Sequence, residues 1–250
     1  MDIIRNCLLP FQRVTLADLD KVKLMNRTDL KFCLHIEKLP AVLEAIKSDY
    51  LLLEIKGETI FTYDNTYFDT AENTMFICHQ NGKSNRFKIR MRKYVESNLN
   101  FLEIKLKNNK GRTIKERVIK QEFIPEFTDS ELIFLDKISP FDGLRLEPKI
   151  KNHFSRFTMV NNLFTERVTV DIAPKFQNSE NEITLDNLVI IEIKQSKSSD
   201  PAMITRVLQT LKIRKQGFSK YCVGRSLLEE NIKKNNFKRL LLKIRKEYLN

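Results

Sequence analysis

Residues 86–92, Arg86-Phe87-Lys88-Ile89-Arg90-Met91-Arg92, alternate cationic and apolar side chains without a break. In a strand successive side chains leave on opposite faces, so Arg86, Lys88, Arg90 and Arg92 share one face and Phe87, Ile89 and Met91 the other. Wound as a helix, the same residues would scatter both sets around the axis. The stretch reads as a strand with a cationic face.

The same period of two continues on either side. In residues 101–107, Glu103, Lys105 and Lys107 stand opposite Leu102, Ile104 and Leu106; further on, Thr113, Lys115 and Arg117 share a face with Ile114 and Val118 behind them. Arg167-Val168-Thr169-Val170-Asp171 and Ile190-Ile191-Glu192-Ile193-Lys194 repeat the arrangement. Strands are expected over 59–68, 74–79, 84–94, 99–107, 112–120, 144–151, 156–160, 164–172 and 188–196, with hairpin turns at His79-Gln80-Asn81-Gly82 and Asn108-Asn109-Lys110-Gly111. Helical spacing predicts helices over 15–24, 38–48, 128–137 and 200–213, and a long amphipathic one over 225–249 with Leu228, Ile232, Leu241, Ile244 and Tyr248 inward. Many strands in meander order with few helices suggest an α+β chain built on one antiparallel β-barrel or a strongly curved sheet, with peripheral helices. One domain is expected across residues 1–250, its core over about 24–225 and its C-terminal basic helix over 226–250.

A strand with one wet face alternates in this way as a matter of course. The charges taken together ask for more. Like charges on neighbouring strands cost up to about 1 kcal/mol per close pair, yet this pairing order sets Arg90 and Arg92 near Lys105, Lys115 and Arg117. A bound polyanion would neutralise them. The whole chain agrees, with 44 Lys and Arg against 32 Asp and Glu and a formal net charge of +12. Glu103 and Glu192 each precede a lysine by two residues on the same face, and a divalent ion bridging phosphate oxygens needs one or two such carboxylates. No Gly-x-x-x-x-Gly-Lys-Ser/Thr or Gly-x-Gly-x-x-Gly loop is present, so side chains must hold the anion. Nothing matches a Ser-His-Asp or Cys-His nucleophile set.

The four cysteines, Cys7, Cys33, Cys78 and Cys222, form no Cys-x-x-Cys pair and read as free thiols in a reducing compartment. His35, His79 and His153 form no local ligand pair and read as surface or supporting residues. No run approaches the roughly 18 to 20 apolar residues that cross a bilayer. The expected location is the cytoplasm, with attachment to the inner face of a membrane as a second reading. That attachment, to a membrane protein or another acidic surface, would use the basic C-terminal segment (Lys233, Lys234, Lys238, Arg239, Lys243, Arg245 and Lys246). A single aromatic residue, Phe237, stands among these cations, too few for a stacking platform, which argues against nucleic acid.

Several short motifs occur in a familiar order: Arg27-Thr28-Asp29-Leu30-Lys31-Phe32, Tyr67-Phe68-Asp69-Thr70, Lys88 to Tyr94, Phe101 to Lys105, Lys115-Glu116-Arg117, Glu192-Ile193-Lys194 and Phe218-Ser219-Lys220-Tyr221. Together they resemble the VTC domain of polyphosphate polymerases, a branch of the triphosphate tunnel metalloenzymes that also includes CYTH-type triphosphatases. The resemblance implies an antiparallel tunnel in which a nucleoside triphosphate, taken as ATP, gives its terminal phosphoryl group to a polyphosphate chain with Mn2+ or Mg2+ present. Carried over position by position, it implies catalytic phosphate contacts from Lys31, Arg90, Arg92, Lys105, Lys115 and Arg156. Further phosphate binding would come from Lys88, Arg117, Lys194 and Lys220, and metal ligation from Glu192 with Glu103 as helper. The triphosphatase branch opens on Glu-x-Glu-x-Lys, whereas Arg27 stands here in the place of the first acid, which favours the polymerase branch. Gly217 stands where that branch can carry a further lysine, with Lys215 nearby as a substitute.

Overall fold

The computed structural model describes residues 1–19, 27–196 and 201–249. Eleven strands among them form one sheet: β1 (Arg13–Val14), β2 (Arg27–His35), β3 (Tyr50–Leu53), β4 (Phe61–Asp69), β5 (Arg86–Tyr94), β6 (Leu99–Lys107), β7 (Thr113–Lys120), β8 (Glu147–Asn161), β9 (Glu166–Gln177), β10 (Glu182–Thr184) and β11 (Leu188–Ser196). The main path runs β2-β11-β9-β8-β4-β5-β6-β7, antiparallel at every step. The short β1 pairs in parallel with β3.

The antiparallel expectation holds; full closure does not. Among the described residues β2 and β7 are the two ends of the path and no strand pairing joins them, so the sheet is an open, strongly curved trough.

Alternation explains how the sheet is covered. The outward residues of β2, β8, β9 and β11, among them Phe32, Leu34, Phe157, Met159, Val170 and Ile191, form one core beneath α1 (Asp2–Leu8), α3 (Leu39–Ile46) and α6 (Met203–Thr210). Ile89, Met91, Leu102 and Ile104 of β5 and β6 form a second core with Leu135 of α5 (Asp129–Ile138). A third core lies at one end of the inner face. There α7 (Lys220–Leu228) and α8 (Lys238–Glu247) bring Tyr221, Val223, Leu240, Ile244 and Tyr248 against Cys33, Ile150, Phe176 and Ile190. Gly224 permits the approach, since a Cβ there would stand 2.4 Å from Phe176 and 2.6 Å from Ile150.

Several local expectations are overturned. Residues 74–79, read as a strand, lie in α4 (Thr74–Gln80). The reason is not local: Asp69, at the end of β4, accepts hydrogen bonds from the Met75 and Phe76 amides at 2.8 Å each and caps the helix. Residues 79–82 therefore close a helix rather than a hairpin, with Asn81 at its C-cap. Residues 108–111 do form the expected hairpin between β6 and β7. The two strands expected over 144–151 and 156–160 are one long strand, β8, with an irregularity between His153 and Ser155.

The single C-terminal helix expected over 225–249 is two, α7 and α8. Lys234 Nζ takes the carbonyls of Ser226 and Glu229 at 3.2 and 2.8 Å, satisfying the end of α7 and stopping its extension. Leu241, Ile244 and Tyr248 are nonetheless buried as expected. The helix expected over 15–24 is a four-residue α2 (Leu16–Leu19), and residues 20–24 lie outside the described residues. That expected over 200–213 is α6, with residue 200 outside the described residues. The four cysteines are free thiols, and no described helix is long and apolar enough to cross a membrane.

Candidate active site

Three neighbouring strands set Lys88, Lys105 and Lys115 directly opposite one another in register. This row of like charges lies on the inner face of the trough and lines a cavity of about 190 Å3. Burial, reinforced by neighbouring cations, lowers the pKa of Lys88 to about 8. Burial likewise lowers Lys105 to about 8, with Lys31, Lys88 and Arg90 adding to the effect against an opposing pull from Glu192. The sheet holds protonated amines close together at an electrostatic cost.

One register step along, Arg90 faces Glu103, and Glu103 faces Arg117. Arg90 donates through Nε and Nη2 to the same Glu103 oxygen at 2.8 and 2.6 Å, and through Nη1 to the Tyr67 hydroxyl at 3.0 Å. Lys115 pairs with the other Glu103 oxygen. Glu103 is only 2% exposed; burial alone would raise its pKa, but Arg90, Arg92 and Lys115 outweigh it and hold the carboxylate well below its usual range. Arg92 is buried, donates to Asn65 at 2.9 Å and lies over the Tyr63 ring.

The far wall belongs to β8, β9 and α7. Arg156 grips Asp171 with two hydrogen bonds, of 2.5 and 2.8 Å, and Lys220 meets the same carboxylate. On β9, Asp171 has the same parity as Arg167. Its partners are Arg156 and Lys220, while Arg167 donates to the Leu19 carbonyl at 2.6 Å. Ser219, the N-cap of α7, accepts from Lys88 Nζ at 2.8 Å, and Lys31 donates to the Phe218 carbonyl at 3.1 Å. The loop before α7 is thus tied to β2 and β5 across the trough.

Nine cations, Lys31, Lys88, Arg90, Arg92, Lys105, Lys115, Arg156, Lys194 and Lys220, line this cavity, against three carboxylates, Asp29, Glu103 and Glu192. Two residues at the site escaped the sequence reading as functional. Tyr67 stands in register with Arg90, and Arg90, Arg92 and Lys220 overcome its burial to lower the phenol's pKa. Asp29 shares the inward parity of Lys31, a signal the sequence did carry. Arg117, expected on this wall, is exposed and stacks 4.5 Å from the Phe101 ring, away from the cavity lining.

A comparison with family models matches the VTC domain over residues 26–229. The chain belongs to the VTC domain family. Solved structures with similar folds include an adenylate cyclase candidate from Vibrio parahaemolyticus (12% identity, TM-score 0.46, covering 78% of this chain and 95% of that one). Another is a Hippeastrum protein described as having a dominant triphosphatase activity (14%, 0.46, 83% and 98%). A third is a conserved protein from Pyrococcus furiosus (13%, 0.41, 76% and 92%). The curated proteins give no match.

As a VTC domain the chain is a triphosphate-tunnel enzyme. Enzymes of this kind use a divalent ion, and the inner wall fits one in a limited way. Glu192 lines the cavity, and Lys31 Nζ stands 3.9 Å from its carboxylate. Burial would raise the pKa of Glu192, but Lys31, Lys194 and Arg156 outweigh it, so the carboxylate stays ionised well below its usual range. Asp29 lines the same space from the adjacent strand. No group of three or more acidic, His or Cys ligands exists among the described residues. This donor set suits an ion that keeps water and takes its remaining oxygens from phosphate, as Mg2+ and Mn2+ do. Glu103, by contrast, already has its oxygens in ion pairs with Arg90 and Lys115.

Proposed function

We propose that this VTC domain is a polyphosphate polymerase-like phosphotransferase, moving the terminal phosphoryl group of a nucleoside triphosphate such as ATP to the end of a polyphosphate chain. The observation that carries the reading is the surplus of cations over carboxylates around one cavity, with Glu103 and Asp171 already spent on holding Arg90, Lys115, Arg156 and Lys220 in place. Such a site is pre-organised for several contiguous phosphates.

Phosphoryl transfer asks the protein for alignment and charge stabilisation more than for a nucleophile. Arg90, held by Glu103 and Tyr67, presents a fixed guanidinium to the donor phosphates, with Lys31 and Arg92 beside it. Lys88, Lys105 and Lys115 neutralise the chain, and Lys194 and Lys220 close its sides. Glu192, with Asp29 nearby, would hold Mn2+ or Mg2+, which supplies charge neutralisation across the transferring phosphates. A terminal oxygen of the acceptor chain attacks the γ-phosphorus, the bond to the β–γ bridging oxygen breaks and the nucleoside diphosphate leaves, so no protein base is needed.

The test is incubation of the purified protein with ATP and Mn2+, with products resolved on a gel stained for polyphosphate. A ladder of long chains, absent in Arg90→Ala, is expected. Free phosphate without chains would replace the polymerase by a triphosphatase using water as acceptor. Tight triphosphate binding with neither product would leave a binding module.

A further inference from the structure

A second chamber, of about 420 Å3, adjoins the phosphate cavity and shares Lys31, Lys88, Lys105 and Glu192 with it. Its two sides differ in kind. One is the cationic inner face of β5 and β6. The other is made by Phe237 and Leu240, from a segment beyond the matched VTC residues, and by His79 at the end of α4. The His79 and Phe237 rings lie 5.9 Å apart, inclined by 50°.

His79 carries no charge at neutral pH. Burial first, then Lys88 and Arg86, push its pKa down to about 3. This wall is therefore an uncharged aromatic surface in the same chamber as Lys31, Lys88 and Lys105. A phosphate chain gains nothing from it. A molecule with phosphates at one end and an uncharged ring at the other satisfies both sides, because a heterocyclic base stacks on aromatic rings without needing charge. The chamber's volume lies within the usual range for a small-ligand site.

We propose that this chamber is the nucleoside subsite, seating the base and ribose of the donor nucleotide against His79 and Phe237 while its phosphates enter the cavity around Arg90. The inference rests on the triphosphate reading above and deepens it: the C-terminal segment makes the site prefer a nucleotide to a bare triphosphate.

Titration calorimetry on the full chain, with a non-hydrolysable ATP analogue and with inorganic tripolyphosphate, separates the two. Phe237→Ala should bind the analogue about tenfold more weakly and tripolyphosphate as the wild type does. His79→Ala should show the same split in case loss of Phe237 loosens the C-terminal segment. Unchanged analogue affinity in both variants, or an equal loss for both ligands, would overturn the subsite. A wild-type protein that binds neither ligand would instead remove the triphosphate reading, and this inference with it.

Discussion

Arg90 and Glu103 face each other in register across β5 and β6, and the arginine places two donors on one carboxylate oxygen, at 2.8 and 2.6 Å. The carboxylate is nearly inaccessible and also holds Lys115. Glu103 therefore acts as a positioning residue for cations in this state of the molecule.

Replacing Glu103 by Gln should leave Arg90 and Lys115 facing each other without compensation. Removing one partner of a buried pair costs on the order of 3 kcal/mol. Urea denaturation should show that loss in the ligand-free protein, and saturating tripolyphosphate should recover much of it by supplying negative charge. A variant as stable as the wild type would show that Glu103 is not needed to hold the wall.

The lowered pKa values of Lys88 and Lys105, both about 8, give a signed pH dependence. Above pH 8 these amines begin to lose their protons in the free protein, while a bound polyanion favours the charged form. Triphosphate affinity should therefore fall as pH rises from 8 to 10, with proton uptake on binding. Calorimetry in buffers of differing ionisation enthalpy measures that uptake. Because the unfolded chain keeps these lysines protonated to about pH 10.4, holding them charged in the fold costs stability near neutral pH, and the free protein should gain stability as pH rises across that window.

Glu192→Gln removes the carboxylate that faces the cavity while preserving its volume. Metal-dependent turnover should fall by at least about a hundredfold, with tripolyphosphate binding in the absence of metal kept or strengthened. Because the Glu192 carboxylate is held ionised below its usual range, metal dependence should persist at pH 5. Turnover in Glu192→Gln equal to wild type would move the metal elsewhere.

Asp69 is fully buried, caps α4, and accepts a hydrogen bond from the Tyr221 hydroxyl on α7. Asp69→Ala should cost about 3–5 kcal/mol and displace two elements that bear on the site, since α4 carries His79 and α7 carries Lys220. Thermal unfolding followed by circular dichroism would detect it. An unaltered midpoint would mean that α4 is held by its packing alone.

Wherever a strand has one polar and one apolar face, parity in the sequence was enough. The residues of β5, β6 and β11 could be assigned to their faces before any pairing was known, and Lys31, Arg90, Lys105 and Glu192 do meet at one cavity. Arg117 obeys the same parity but sits towards an exposed edge strand, where it stacks on Phe101. Parity gives a face and not a depth. The stretch 74–79 failed for a different reason: its helix is capped from Asp69, five residues and a turn away, and no local propensity records that.

From its residues alone this protein could be read as an antiparallel sheet with a cationic face suited to a polyanion, because side-chain alternation and net charge are properties of the chain itself. Only the tertiary structure decided that, among the described residues, the sheet stays open between β2 and β7, that Asp171 serves Arg156 and Lys220, and that the C-terminal segment folds back to line a second chamber. Each of these depends on partners far apart in sequence, such as Lys31 with the carbonyl of Phe218. Contacts of that kind are selected by the packing of the whole domain and not by any local pattern.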